Sequence, residues 1–192
     1  HRSIDFGHTW AGPFEVPSAT NPHGLVDGSG NPLDAADKEL IDVDPDTGRV
    51  LIAWSNFTPA APGGVEISTT FSDNAATANP PTWSARRVIS DGLTYSQGAV
   101  PRFAGNGSTN VYASWMRAAT GIQAAIVFAK STNNGASWGT RFDLSSAFVA
   151  MDEVLGNDRV TNFPSLAVDV SAGPHSGNIY VVYSDNNAGD GA

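Results

Sequence analysis

Ser3-Ile4-Asp5-Phe6-Gly7-His8-Thr9-Trp10 is a box of eight residues that returns as Ser131-Thr132-Asn133-Asn134-Gly135-Ala136-Ser137-Trp138, with Asn133 in the place of Asp5 and Ser137 in the place of Thr9. A looser copy begins at Ser72-Asp73-Asn74, where Asp73 is read as the acidic residue, and closes with Thr82-Trp83. Each part of the box has a mechanical reason. An Asp or Asn side chain accepts hydrogen bonds from backbone N–H groups a short way on, Gly7 and Gly135 are free to take positive φ, and Trp10, Trp83 and Trp138 each supply a large apolar plug. The box is a turn motif, and turns of this kind imply strands on either side.

Working outward, three alternating apolar runs end in an aromatic: Val50 to Trp54, Val111 to Trp115 and Ile179 to Tyr183. Their aromatics are 61 and 68 residues apart, and the box tryptophans are 73 and 55 apart. Both series average about 64 residues, room for roughly four ordinary strands, which is the size of a propeller blade. Within a repeat, strand A is expected at 40–43, 101–104 and 165–168, and strand B at 49–55, 110–116 and 178–184. Strand C is expected at 65–71 and 124–130, and strand D at 14–16, 86–89 and 141–144. The A–B connections, such as Asp44-Pro45-Asp46-Thr47-Gly48, are turn chemistry. The division that follows is the end of one blade at 1–17, a second at 38–90, a third at 100–145 and the start of a fourth at 162–192. Lone strands at both ends expose unpaired edges, so the natural protein is expected to be longer, with the remainder of the propeller supplied by the same chain or by another copy.

Composition agrees with an all-β chain. Of 192 residues only 15% are charged, while Gly (20) and Pro (12) are plentiful and helix-period apolar stripes are nearly absent. A net charge of −9 with two lysines, Lys38 and Lys130, argues against a nucleic-acid partner, because phosphate binding draws on basic side chains. No apolar run is long enough for a membrane span, so no membrane insertion is expected. Without cysteine there is neither a disulfide framework nor a thiolate metal site. The four histidines lack metal-ligand spacing.

The box at 3–10, its copy at 131–138, and the strand pair Ile41-Asp42-Val43-Asp44-Pro45 with Val50-Leu51-Ile52-Ala53-Trp54 resemble the bacterial neuraminidase (sialidase) Asp-box repeat superfamily. The resemblance implies an all-β propeller of four-stranded antiparallel blades, six when complete, of which this chain covers about half. It also implies an extracellular or cell-surface protein. Two activities are compatible with it: a module that binds a glycan or a protein, or an exo-acting glycoside hydrolase of sialidase type. In such blades the A–B turns and the boxes emerge at one end, and the B–C loops and the long D-to-A crossovers at the other. The crossover end is the expected binding face.

A sialidase resemblance implies an arginine triad gripping a carboxylate, a Tyr–Glu nucleophile pair and an Asp general acid. Arg102 near the start of strand A, Arg117 in a B–C loop and Arg159 in a crossover are expected on the binding face, as ligand grips or as ion-pair partners. The Phe-Arg-Ile-Pro signature of the family is absent. Tyr95 lies in a crossover without a matching Glu, as a ligand-stacking or loop-anchoring residue, whereas Tyr112, Tyr180 and Tyr183 read as packing. Asp37 with Glu39, and Asp152 with Glu153, are paired carboxylates suited to acid–base work, to a cation, or to solvated loops. Calcium is the one possible cofactor, at the terminal Asp185, Asn187 and Asp190 or at Asp42, Asp44 and Asp46. The alignment of Asp44 with Asp169 favours a turn cap in the second case. Asn56-Phe57-Thr58 and Asn106-Gly107-Ser108 are glycosylation sequons if the source is a secreting eukaryote.

Overall fold

The computed structural model describes residues 1–16, 35–59, 61–119, 123–150 and 161–185. Among them every regular element is a β-strand apart from one short 3-10 turn at Pro62–Gly64. Sheet I is an antiparallel meander of β1 (Ala35–Val43), β2 (Val50–Phe57), β3 (Val65–Ser72) and β4 (Arg87–Val88). Sheet II repeats it with β5 (Ser96–Phe103), β6 (Val111–Ala118), β7 (Gln123–Ser131) and β8 (Phe142–Asp143), and β9 (Phe148–Val149) pairs with the other end of β7. Sheet III has two strands, β10 (Ser165–Val168) and β11 (Ile179–Val182). The hairpins β1–β2, β5–β6 and β10–β11 close alike, with Asp44 N–H donating to Arg49 O, Ala104 N–H to Asn110 O and Asp169 N–H to Asn178 O.

The sheets pack face to face. Leu51 and Ala53 of sheet I meet Phe103, Val111, Ala113 and the fully buried Trp115 of sheet II. Val100, Tyr112 and Phe128 on the opposite side of sheet II meet Leu166, Val168 and Val181 of sheet III. Strand alternation makes this possible, since successive side chains point to opposite faces and both faces of the middle sheet are apolar. Polar staples add to the packing: Phe103 N–H donates to the Asp42 carboxylate (2.7 Å), Gly107 N–H to Asp46 (2.7 Å) and Gly98 N–H to Ser55 Oγ (3.0 Å).

All three boxes share one hydrogen-bond scheme. Ser3 Oγ and Ser131 Oγ accept the N–H of Gly7 (2.8 Å) and Gly135 (2.9 Å). Asp5 and Asn133 accept the N–H of Thr9 (2.9 Å) and Ser137 (2.8 Å). In the looser copy Asn74 takes this role, accepting the Thr82 N–H at 2.9 Å, while Asp73 turns away to pair with Arg49. The acidic slot therefore belongs to Asn74 and not to Asp73. The reason is the two-residue spacing from Ser72 that Asp5 keeps from Ser3 and Asn133 from Ser131. Phe6-Gly7 and Asn134-Gly135 both have positive φ (56°, 86° and 55°, 82°). In sheet II the box is also a wedge, with Trp138 entering the core between sheets I and II.

Two expectations about strands are corrected. Residues 14–16 form no strand; among the described residues the N-terminal hairpin is closed by the Arg2–Ala11 bridge. Strand A starts about five residues earlier than expected in sheets I and II, because a bulge interrupts each ladder, between Asp37 and Leu40 and between Gln97 and Val100. Lys38 (φ 56°) and Gly98 (φ 72°) sit at equivalent bulge positions, where the alternation that marks a strand in sequence is broken.

Candidate functional site

The meander order puts the β1 and β5 N-termini and the β2 and β6 C-termini at one end of the sheets, together with the crossovers. The hairpin turns and the boxes lie at the other. At the crossover end the core is capped by Phe163. A Cβ on Gly98 would lie 2.4 Å from the Phe163 ring, so only glycine lets the ring in, and Lys38 Nζ rests 5.8 Å from the ring centroid. The neighbouring Asn162 is buried, and its amide donates to Ser184 O (2.7 Å), tying the segment before β10 to the end of β11.

Tyr95 immediately precedes β5. Its N–H donates to Pro62 O (3.1 Å) and its carbonyl accepts the Ala118 N–H (3.2 Å), which pins it between the β2–β3 connection of sheet I and the end of β6. Its φ is 43°, a left-handed value that a non-glycine residue keeps only when its surroundings impose it. Gly63 makes that approach possible, since a Cβ there would sit 2.7 Å from Tyr95 N. The residue remains 39% exposed. No carboxylate among the described residues hydrogen-bonds its hydroxyl.

Arg117 ends β6 at the same end, but its guanidinium is engaged. Nε and Nη2 make a bidentate pair with Asp143 of β8, and Nη1 donates to Ala118 O (2.9 Å). The hydrogen bonds to Asp143 push the Arg117 pKa up, and those from Arg117 hold the Asp143 carboxyl below the usual carboxylate range. Arg102 is at the opposite end. It is the penultimate residue of β5, beside the turn to β6, and Nη1 donates to Pro101 O (2.7 Å). It borders a cleft of about 300 Å³ with Asp42, Pro45 and Val168. Ser96, which pairs with Arg117, lies about 20 Å along the strand from Arg102, at roughly 3.3 Å per residue. Placing Arg102 on the crossover face is therefore corrected. The early start of β5 at the bulge moves Arg102 from the first turn of the strand to its last, and the two described arginines do not converge. Arg159, Asp152, Glu153, Asn187 and Asp190 lie outside the described residues.

Asp37 and Glu39 do lie at the crossover end of β1, straddling the Lys38 bulge. Among the described residues no three His, Cys, Asp or Glu side chains come together to hold a metal ion. Asp42, Asp44 and Asp46 have three separate tasks. Asp42 and Asp46 accept backbone N–H groups of sheet II, and Asp44 caps its own turn by accepting the Asp46 N–H (3.1 Å) and the Thr47 hydroxyl. Asp169 caps the equivalent turn of sheet III, and the Ser171 hydroxyl and N–H lower its pKa. Of the two sequons, Asn56 is 1% exposed with its amide on Glu66, so it is closed to modification, whereas Asn106 is at the surface. Tyr112 stacks on Phe128 and Tyr183 on Phe148, but Tyr180 is exposed.

No family model, curated protein or solved structure matches this chain.

The reading of the site thus rests on its own geometry. Phe163, Gly98 and Asn162 are the residues that sequence reasoning missed. Their one signal was a glycine in an otherwise extended run, at the same distance before Phe103 as Lys38 is before Val43. Among the described residues no helix is long and apolar enough to cross a membrane.

Proposed function

We propose that the three sheets are consecutive blades of an Asp-box β-propeller and that the protein is a binding module, extracellular or at the cell surface, that takes a glycan at its crossover end. The observation that carries this is Tyr95: an exposed aromatic residue, held by two backbone hydrogen bonds in a strained conformation between the connections of two sheets. Strain of this kind is kept where a side chain must be presented in one orientation. A pre-positioned Tyr side chain is suited to stack on the apolar face of a sugar ring at little ordering cost. The repeated box turns, the equivalent hairpin closures and the face-to-face order of the sheets support the propeller reading.

The hydrolase reading has less support. It needs several free arginines converging on one carboxylate, whereas Arg117 is paired with Asp143 and Arg102 lies at the other end of its strand. The test is a glycan array followed by titration of the best ligand against the protein and Tyr95→Ala. The expected result is binding that Tyr95→Ala weakens by about tenfold or more, on the order of 1.4 kcal/mol, with an unchanged circular dichroism spectrum. Glycan binding indifferent to Tyr95, or no glycan binding, would refute it. Turnover of a fluorogenic sialoside would replace it with the hydrolase.

A further inference from the structure

The contact between sheets I and II is heterologous: one side of a sheet meets the other side of the next. Counting from the three equivalent hairpin closures, Leu51, Tyr112 and Tyr180 occupy one position, and Val43, Phe103 and Val168 another. Leu51 of sheet I packs on Phe103 and Val111 of sheet II, and Tyr112 of sheet II packs with Val168 of sheet III. Among the described residues the same two surfaces recur unpartnered at the ends of the stack. On sheet III, Tyr180 and Val182 are 54% and 67% exposed, though their counterparts Leu51 and Ala53 are fully buried. On sheet I, Ile41 and Val43 are 58% and 49% exposed, though their counterparts Pro101 and Phe103 are buried.

The free side of sheet I is more than a flat face. It forms one wall of a cleft of about 480 Å³ lined by Ile41, Val43, Val50, Ile52 and Trp83, with Trp10 and Phe14 of the N-terminal hairpin opposite. Arg2 fixes that hairpin by donating to Ala75 O and Ala78 O (both 2.8 Å). Trp83 stands in this cleft where Trp138 stands in the sheet I–II interface. The cleft is therefore the vacant form of a surface that sheet II presents already filled. Its fitting guest is a two-stranded hairpin carrying an apolar pair at the positions of Leu51 and Ala53.

We propose that β10–β11 of one copy of this chain seats in that cleft of a second copy, Tyr180 and Val182 taking the places of Leu51 and Ala53, so that copies associate end to end. The argument is continuity: the docked contact joins the same two kinds of sheet surface that already meet within the chain, and it is independent of the glycan reading. Because the two faces differ, the contact is of the head-to-tail class, and each copy offers one guest and one cleft. Exposed apolar faces of this kind on a folded domain mark association surfaces.

The test is light scattering after size exclusion on the 192-residue chain, up to about 100 μM, where a contact of micromolar Kd is saturated. The expected result is a mass that rises with concentration to that of a dimer or more. Ile41→Asp spoils only the cleft and Val182→Asp only the guest. Both positions face solvent in the free chain, so each variant should fold with the parent's circular dichroism spectrum and remain monomeric. Mixed in equal amounts, the two should recover a dimer, because one keeps the guest and the other keeps the cleft. A parent that stays monomeric, a variant that assembles alone, or a mixture that does not recover would each overturn the proposal. So would a longer form of the chain that is monomeric with this cleft protected from hydrogen exchange, which would assign the cleft to an intramolecular neighbour.

Discussion

Gly135→Ala tests whether the box of sheet II acts as an inter-sheet wedge as well as a turn. Gly135 has φ 82°, and a Cβ built on it would lie 2.4 Å from Leu51 Cδ1, inside a core where Leu51 has no exposure. Two costs add. An L-residue in the left-handed region loses about 1 kcal/mol relative to glycine, and forcing a methyl into a packed interface loses about 1–3 kcal/mol more. The expected total is about 2–4 kcal/mol. Gly7 and Gly48 serve as controls, having positive φ (86° and 74°) but a nearest neighbour at 3.9 Å and nothing within 4 Å, respectively. Alanine at either should cost only the conformational part, about 1 kcal/mol. The assay is urea unfolding followed by tryptophan fluorescence, with the midpoint shift multiplied by a common slope. Leu51→Ala should cost about 2–5 kcal/mol alone but markedly less in the Gly135→Ala background, because the clash partner has gone. If Gly135→Ala matched Gly7→Ala within about 0.5 kcal/mol, or the double mutant were additive, the wedge would be refuted.

Three further outcomes are expected. The hydroxyl and N–H of Thr9 and the Ser3 hydroxyl lower the Asp5 carboxyl from 3.8 to about 2, so its support of the turn is complete above pH 3.8 and is lost as pH falls through about 2. A carboxyl carbon NMR titration should show that midpoint, and Asp5→Asn should leave the melting curve at pH 7 unchanged, since Asn133 makes the same bonds; a midpoint near 3.8 would contradict this. Arg49 lies 4.0 Å from the Phe71 ring centroid and donates to Asn134 O of sheet II, while its partner Asp73 is largely exposed. Arg49→Ala should therefore cost about 2 kcal/mol and Asp73→Asn about 0.5 kcal/mol or less in urea unfolding; equal costs would show the ion pair to dominate. Gly98→Ala should cost about 2–4 kcal/mol through its collision with Phe163, and Phe163→Ala should recover part of the loss; a thermal melt unaffected by Gly98→Ala would exclude that packing.

The sheets were legible before the structure because their signals are local. The runs from Val50 to Trp54, Val111 to Trp115 and Ile179 to Tyr183 alternate and end in aromatics, and the boxes carry serine, asparagine or aspartate and glycine at spacings that a turn dictates. The candidate site was less legible. Arg102 was assigned to the wrong end of its strand because Gly98 and Lys38 conceal where β5 and β1 begin, and a bulge shows in sequence only as broken alternation. That Arg117 is spent on Asp143 is a pairing between β6 and β8 that no spacing encodes.

By itself, then, the chain of residues determined most of the strands, the turns that join them and the meander order of the sheets, since these follow from period-two patterning and from residues that favour left-handed or capped turns. Only the tertiary structure decided which faces meet, that Trp138 fills a gap between sheets while Trp10 stays largely exposed, and that at the crossover end Tyr95 is exposed while Arg117 is paired with Asp143. The physical reason is range. Turn and strand preferences act over a few residues, whereas a ring seated against a glycine some 65 positions away, as Phe163 is against Gly98, depends on how whole sheets stack.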